Sequence, residues 1–202
     1  MNIFVIKQNQ KKVVVLLHEI YGINDHMKYY ANYFADFGYD VVCPNLIKLE
    51  SPFSYEDEQQ AYRHFTETIA FISAALESKQ LIEELSSEYE EIHIIGFSVG
   101  ATIAWLCSEL KEVDRIVCFY GSRIRNYLEI TPACSVLCIY GESEKSFDVT
   151  LLVNHLQMKR IESHILTGAH GFADPYSKEF KKDTYNKAKE IVKSFLLKKI
   201  GY

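Results

Sequence analysis

The stretch Ile92–Ala101, IHIIGFSVGA, decides the fold of this chain. An apolar run typical of a β-strand ends in Gly-Phe-Ser-Val-Gly, and a helix-like stretch follows. This pattern predicts a nucleophile elbow, in which Ser98 lies on a tight strand-to-helix turn with its hydroxyl above the end of a sheet. Gly96 and Gly100 flank the serine at the points where side chains would crowd such a turn.

Strand-like and helix-like segments alternate along the chain. Several strand candidates are continuous runs rich in Val and Ile, as expected for parallel strands covered on both faces. The strand candidates are Ile3–Ile6, Val13–Leu17, Asp40–Cys43, Ile92–Ile95, Arg115–Phe119, Val136–Tyr140 and Glu162–Leu166. Repeated βα units predict an α/β fold with a doubly wound, mainly parallel sheet flanked by helices. We expect one domain over residues 1–202.

The helix candidates lie between these strands. The longest is Asp57–Lys79, which has apolar residues at helical spacing along one side. Ser54 and Asp57 at its start resemble a capping box. Its apolar positions are Ala61, Phe65, Ile69, Ile72 and Leu76. The other candidates are His26–Phe37 with Asn24 as its cap, Val99–Leu110, Val149–Met158, and Lys178–Lys199 with Tyr185, Ala188, Val192 and Phe195 on one side.

Composition limits the class of partner and compartment. With 48% hydrophobic and 24% charged residues the chain is typical of a soluble globular protein, and its net charge of −5 does not favour nucleic-acid binding. The five cysteines are mostly in apolar runs, which indicates reduced, buried thiols, and no Cys/His cluster indicates zinc. The start, MNIFVIKQNQ, does not have the pattern of a signal peptide, and no apolar run is long enough to span a membrane. We expect a cytoplasmic protein without a membrane partner; composition does not determine the oligomeric state.

A serine nucleophile needs a base, which is normally a histidine oriented by a carboxylate. His170 lies between the last strand candidate and the last helix candidate, in a loop where open α/β sheets bind ligands. His93 and His164 lie inside strand-like runs and are predicted to be structural. His170 is therefore the predicted base.

The acid should follow the strand Val136–Tyr140, because α/β-hydrolases place their triad in the order serine, acid, histidine. Two carboxylates fit this position, Glu144 and Asp148. Asp148 is also explained as the N-cap of the next helix. We favour Glu144 and keep Asp148 as the alternative.

The segment Leu17–Gly22, LHEIYG, follows the second strand candidate, where an oxyanion-hole amide is expected. We predict that the N–H groups of Ile20 and Val99 form this hole. Glu19 is unusual here, since a carboxylate would oppose the negative charge that develops on the substrate. We expect Glu19 to turn inward, where it holds Ser98 or binds a donor in the pocket; the alternative is an ordinary surface acid.

Aromatic residues near these segments predict an apolar acyl pocket, although aromatic residues are also typical of a protein core. The candidates are Tyr21, Phe53, Tyr55, Phe97, Tyr120 and Phe172.

Taken together, these segments resemble the dienelactone hydrolase family of α/β-hydrolases. The matching pieces are VVVLLHEIYGIND at 13–25, GFSVGA at 96–101, Tyr120-Gly121, IYGESE at 139–144 and GAHGFADP at 168–175. The resemblance implies hydrolysis of a small-molecule carboxylic ester, lactone or related acyl substrate, without a cofactor or metal.

The chain also departs from the pattern of that family. Ser98 stands where the founding members have cysteine, and Glu144 stands where an aspartate is usual. Asp174 stands where the family has an arginine that pairs with the loop glutamate, here Glu19, so dienelactone itself is not the expected substrate. The short region after Cys43 leaves room for a minimal lid or none. A non-catalytic ligand-binding or regulatory protein with the same fold is the alternative hypothesis.

Overall fold

The computed structural model describes residues 2–198, and a seven-stranded sheet forms its centre. The strands are β1 (Ile3–Ile6), β2 (Lys12–Leu17), β3 (Asp40–Pro44), β4 (Glu91–Phe97), β5 (Arg115–Phe119), β6 (Ser135–Ser143) and β7 (Glu162–Ala169). Their order is β1-β3-β2-β4-β5-β6-β7, and every neighbouring pair is parallel except β1 and β3. All seven strand candidates and the predicted fold class are confirmed.

Helices cover both faces of this sheet. They are α1 (Asp25–Asp36), α2 (Glu58–Arg63), α3 (Phe71–Leu85), α4 (Val99–Leu106), α5 (Val149–Met158) and α6 (Lys182–Leu197). Helices α1 and α6 pack on one face, and α3, α4 and α5 pack on the other. Asn24 caps α1 as predicted, because its side chain accepts a hydrogen bond from the Met27 amide at 3.2 Å.

Strand β2 shows why the central strands are continuously apolar. Val13, Val15 and Leu17 are buried in the core on the face covered by α3, α4 and α5. Val14 and Leu16 are buried in the core on the opposite face. Because successive side chains of a strand point to opposite faces, a strand covered on both sides needs an apolar residue at every position.

The single long helix predicted over Asp57–Lys79 is wrong. The segment begins with a 3-10 turn (Tyr55–Asp57) and continues through α2 and a π-helical stretch (His64–Ile69) before α3. Ala70, with φ 62° and ψ 144°, separates that stretch from α3. The α-helical repeat of 3.6 residues per turn does not continue through the wider π turn and this break. The residues of α3 that face the core are therefore not those that a continuous helix from Asp57 would bury.

The exposure of the later residues shows the consequence of this rotation. Ile72 and Leu76, predicted to be on the buried side, are 53% and 62% exposed, whereas Ala74 and Ala75 are buried. The predicted capping box is also wrong, because the Ser54 hydroxyl accepts a hydrogen bond from the Glu56 amide rather than from that of Asp57.

Other helix boundaries also differ from the predictions, and those of α1 differ by one residue at each end. Helix α4 ends at Leu106 instead of Leu110, and α6 begins at Lys182 instead of Lys178, while Lys199 lies outside the described residues. The four apolar residues predicted on one side of α6 are all buried. Within residues 2–198, no helix is long and apolar enough to cross a membrane.

Candidate active site

Ser98 lies on a strained turn between β4 and α4, at φ 53° and ψ −112°. A Cβ atom on Gly100 would collide with the carbonyl oxygens of Leu17 and His18, and one on Gly96 would collide with the backbone of Gly100. Both glycines are therefore required by the close approach of backbone segments. The turn presents the Ser98 hydroxyl at the carboxyl end of the parallel strands, as the elbow pattern predicts.

The structure brings the three predicted triad residues together. His170 Nε2 lies 2.9 Å from Ser98 Oγ, and His170 Nδ1 lies 3.0 Å from Glu144 Oε2. The Glu144 side chain is only 2% exposed, while that of His170 is 41% exposed. A serine, an imidazole and a buried carboxylate in hydrogen-bonded sequence can transfer a proton from the serine and stabilise the resulting imidazolium.

The alternative acid has a different role. Asp148 is exposed, and its Oδ1 accepts a hydrogen bond from the Leu151 amide at 3.0 Å, so it caps α5. Strand β6 extends to Ser143 and is irregular between Gly141 and Ser143. This extension carries Glu144 to the loop that follows β7, since irregularities of this kind redirect side chains at strand ends.

The electrostatic surroundings of His170 favour its protonated form. Desolvation lowers the pKa of the imidazole, but the hydrogen bond and negative charge of Glu144 outweigh it. The charges of Glu19 and Glu58 act in the same direction, and the pKa of His170 is raised above its ordinary value of 6.5. The imidazole also contacts the Ser98 hydroxyl and the Tyr120 ring, whose centroid is 4.7 Å from its own.

This shift predicts the pH dependence of turnover. As the predicted base, His170 must be neutral to accept the Ser98 proton, so we expect activity to be lost as pH falls through its raised pKa. We expect the acidic limb of the pH–rate profile to have its midpoint above pH 6.5, with kcat/KM falling about tenfold per pH unit below that midpoint. A pH–rate profile in the wild type and in Glu144→Gln measures this. Removal of the carboxylate should move the limb to lower pH; a wild-type limb below pH 6 would contradict the assignment.

Two backbone amides lie where an oxyanion hole is predicted. Val99 is the first residue of α4, so its N–H group has no partner within the helix. The amides of Val99 and Ile20 donate no hydrogen bond to any acceptor in residues 2–198, and both residues line the cavity that contains Ser98. They are available to an anionic oxygen bound beside the serine.

The loop that carries Ile20 is fixed by a buried histidine. His18 Nε2 accepts a hydrogen bond from the Leu46 amide at 2.9 Å, and His18 Nδ1 lies 2.5 Å from the Glu19 carbonyl oxygen. Burial lowers the pKa of His18 to about 4, which keeps the imidazole neutral and suited to one donor and one acceptor role. His18 therefore holds the β2–α1 loop against the segment after β3.

The cavity at Ser98 has a volume of about 1080 Å³ and is more polar than predicted. Tyr21 and Tyr55 line it as predicted, but Phe53, Phe97, Tyr120 and Phe172 do not. Phe97, Tyr120 and Phe172 are fully buried beneath the cavity. The Phe97 ring stacks on that of Phe119, with their centroids 4.8 Å apart. These rings therefore pack in the core and do not line the pocket.

The sequence analysis did not predict the charged residues that line the cavity. Arg123 and Arg125 lie in the turn after β5, and Lys145 lies after β6. Glu58 enters from α2. Their positions in the sequence could have indicated that these residues line the site, because the turns after β5 and β6 meet at the same edge of the sheet as Ser98.

Glu19 turns inward and lines the cavity, with 6% of its surface exposed. Within the described residues it makes no hydrogen bond to Ser98, whose hydroxyl is occupied by His170. Burial raises the pKa of Glu19 to about 7, and the nearby negative charge of Asp174 adds to this effect. Asp174 is also buried; its two carboxylate oxygens accept hydrogen bonds from the Tyr55 hydroxyl at 2.5 Å and the Tyr176 amide at 2.8 Å.

The chain is similar to known proteins in sequence and in fold. The family model for the dienelactone hydrolase family matches residues 2–199. An uncharacterized protein of Bacillus subtilis, YczH, is 40% identical over 187 residues, which are 91% of this chain and 92% of that protein. A carboxymethylenebutenolidase of Pseudomonas putida is 27% identical over 128 residues, covering 59% of this chain and 54% of the enzyme. The solved structure of the esterase Pf2001 from Pyrococcus furiosus superposes with a TM-score of 0.70 at 17% identity, covering 95% of this chain and 86% of that one.

Proposed function

Because the chain belongs to the dienelactone hydrolase family of α/β-hydrolases, we propose that it is a serine hydrolase acting through an acyl-enzyme. Family membership makes it a carboxylic-ester hydrolase, and its proposed substrates are small carboxylic esters, lactones or related acyl compounds. The observation that carries the proposal is the hydrogen-bonded series Ser98, His170 and Glu144 at the elbow. The non-catalytic alternative is based on the unusual acid, Glu144, and on Glu19, which lacks the arginine partner usual in the family. Glu144 lies within hydrogen-bond distance of the proposed base.

In the acylation step, His170 Nε2 accepts the proton of Ser98 as Oγ attacks the substrate carbonyl carbon. The negative charge that develops on the carbonyl oxygen is stabilised by the N–H groups of Ile20 and Val99. His170 then donates its proton to the leaving alcohol oxygen, and the bond between that oxygen and the acyl carbon breaks. Throughout, the Glu144 carboxylate orients the imidazole and stabilises its positive charge.

In the deacylation step, the neutral His170 accepts a proton from water as the water oxygen attacks the acyl carbon. The same two amides stabilise the second tetrahedral intermediate. Return of the proton from His170 to Ser98 Oγ releases the carboxylic acid.

A turnover screen tests the proposal. Short-chain esters, lactones and thioesters should include at least one substrate that the wild-type protein hydrolyses. The cavity, at about 1080 Å³, accommodates a small acyl compound and its leaving group. Absence of turnover across all three classes would contradict the proposed hydrolase activity.

A further inference from the structure

Three buried side chains from separate segments meet beside the proposed active site. Glu19 comes from the β2–α1 loop, His26 from the first turn of α1, and Asp174 from the loop after β7. His26 Nδ1 lies 3.8 Å from Glu19 Oε2 and 3.6 Å from Asp174 Oδ2. The three donor atoms all lie within 4.8 Å of one another. We refer to Glu19, His26 and Asp174 as the buried cluster.

Hydrogen bonding within the described residues does not explain the buried ring nitrogens of His26. Its side chain is fully buried, and within residues 2–198 neither ring nitrogen has a hydrogen-bond partner. The imidazole is held instead by edge-on contacts with the Phe97 ring at 4.6 Å and the Tyr30 ring at 5.2 Å. Buried polar groups are almost always paired, so this histidine requires an explanation.

The two carboxylates also lack a cation. In the described part of the chain, no lysine or arginine forms an ion pair with Glu19 or Asp174. Buried acidic groups are normally paired with a base or coordinate a metal ion. Here two of them converge on one unpartnered imidazole nitrogen.

The spacing of the cluster identifies what fits between its atoms. At 3.6 and 3.8 Å, the two nitrogen–oxygen pairs are too far apart for direct hydrogen bonds. A water molecule bonded to both at about 2.8 Å would hold them roughly 4.6 Å apart at a tetrahedral angle. Two ligands bound to one ion at about 2.1 Å lie roughly 3.4 to 3.8 Å apart at bond angles near 110 to 130°.

We propose that Glu19, His26 and Asp174 bind one divalent transition-metal ion such as Zn²⁺. One nitrogen and two carboxylate oxygens suit ions of this kind. The Tyr176 amide donates to Asp174 Oδ1 and the Tyr55 hydroxyl donates to Asp174 Oδ2, so both orient the carboxylate. Oδ2 keeps a second lone pair for the ion. Glu19 and Asp174 line the cavity, so a further coordination position faces the substrate space.

This site departs from the sequence-based expectation of no metal. Its ligands are separated by 7 and 148 positions, and no short motif contains them. The ion takes no part in the acyl-transfer steps, and its binding is measured without turnover. Failure of this inference would therefore leave the proposed hydrolase function untouched, and the reverse also holds.

Metal titration tests the site. Chelator-treated wild-type protein, titrated with Zn²⁺ and separately with Mn²⁺ by calorimetry, should bind one ion per chain with a Kd in the micromolar range or below. Glu19→Gln, His26→Gln and Asp174→Asn should each weaken binding by at least about tenfold. The matched control is Glu91→Gln, because Glu91 lies 3.6 Å from a nitrogen of buried His93, which has no second carboxylate in contact among residues 2–198. This variant should bind like the wild type.

Cobalt spectra separate the cluster from the cysteines. Co²⁺ bound by the cluster should show no thiolate charge-transfer band, whereas binding at Cys134 or another cysteine would show one. Circular dichroism establishes which variants fold, and the wild-type titration decides the matter if none does. No saturable binding by the wild type up to millimolar Zn²⁺ and Mn²⁺, or equal affinity in wild type and a folded Asp174→Asn, would overturn the inference.

Discussion

Replacing Ser98 with alanine is expected to lower kcat/KM for any ester or lactone substrate by about a millionfold. The substitution removes the oxygen that attacks the carbonyl carbon, and His170 then has no proton to accept from the elbow. His170→Ala should cost a similar factor, since the serine hydroxyl is a poor nucleophile without its base. The measurement is steady-state hydrolysis of the substrate found by the turnover screen.

The double variant provides the sharper comparison. Triad residues act as a unit, so Ser98→Ala combined with His170→Ala should be little slower than either single variant. Circular dichroism should show all three folded. A Ser98→Ala protein that keeps activity within tenfold of the wild type would show that the nucleophile is another group.

Replacing Glu144 with glutamine is expected to lower kcat by about ten thousandfold. The amide keeps the size of the side chain but cannot stabilise the positive charge on His170, and it permits the wrong imidazole tautomer. Steady-state kinetics with the same substrate measures the loss. The effect should be on kcat more than on KM, because Glu144 lies behind His170 rather than against the substrate.

Asp148→Asn is the matched control for this prediction. Asp148 was the alternative acid, and it caps α5 through the Leu151 amide. Its replacement should change stability by about 1 kcal/mol or less and leave kcat near the wild-type value. If Asp148→Asn abolished turnover while Glu144→Gln did not, the two roles would have to be exchanged.

The sequence predicted the features that depend on local chemistry or on strand order. Strands β2 to β6 are covered on both faces and have to be almost continuously apolar, which is why they were found from sequence. The elbow around Ser98 depends on two glycines that have no substitute at such close backbone contacts. The positions of Glu144 and His170 followed from the chain order of the triad, since the ends of parallel strands meet at one edge of the sheet.

Tertiary packing determined the features that were mispredicted. The break at Ala70 changes the face of a long apolar pattern, and a periodicity count cannot detect it. Phe97, Phe172 and Tyr120 are close in sequence to site residues, but their rings fill the core between the sheet and the helices. The meeting of Glu19 with Asp174 joins two distant loops, which only the folded chain places together.

Covalent labelling tests the central claim, that Ser98 is the nucleophile of a serine hydrolase, most directly. A fluorophosphonate probe should add one phosphonyl group per chain to the wild-type protein, with peptide mass spectrometry locating it on Ser98. His170→Ala should react far more slowly, because the serine loses the base that activates it. Stoichiometric labelling at Ser98 is the predicted result. Labelling at another residue, or none under conditions in which the wild type hydrolyses its substrate, would contradict the account.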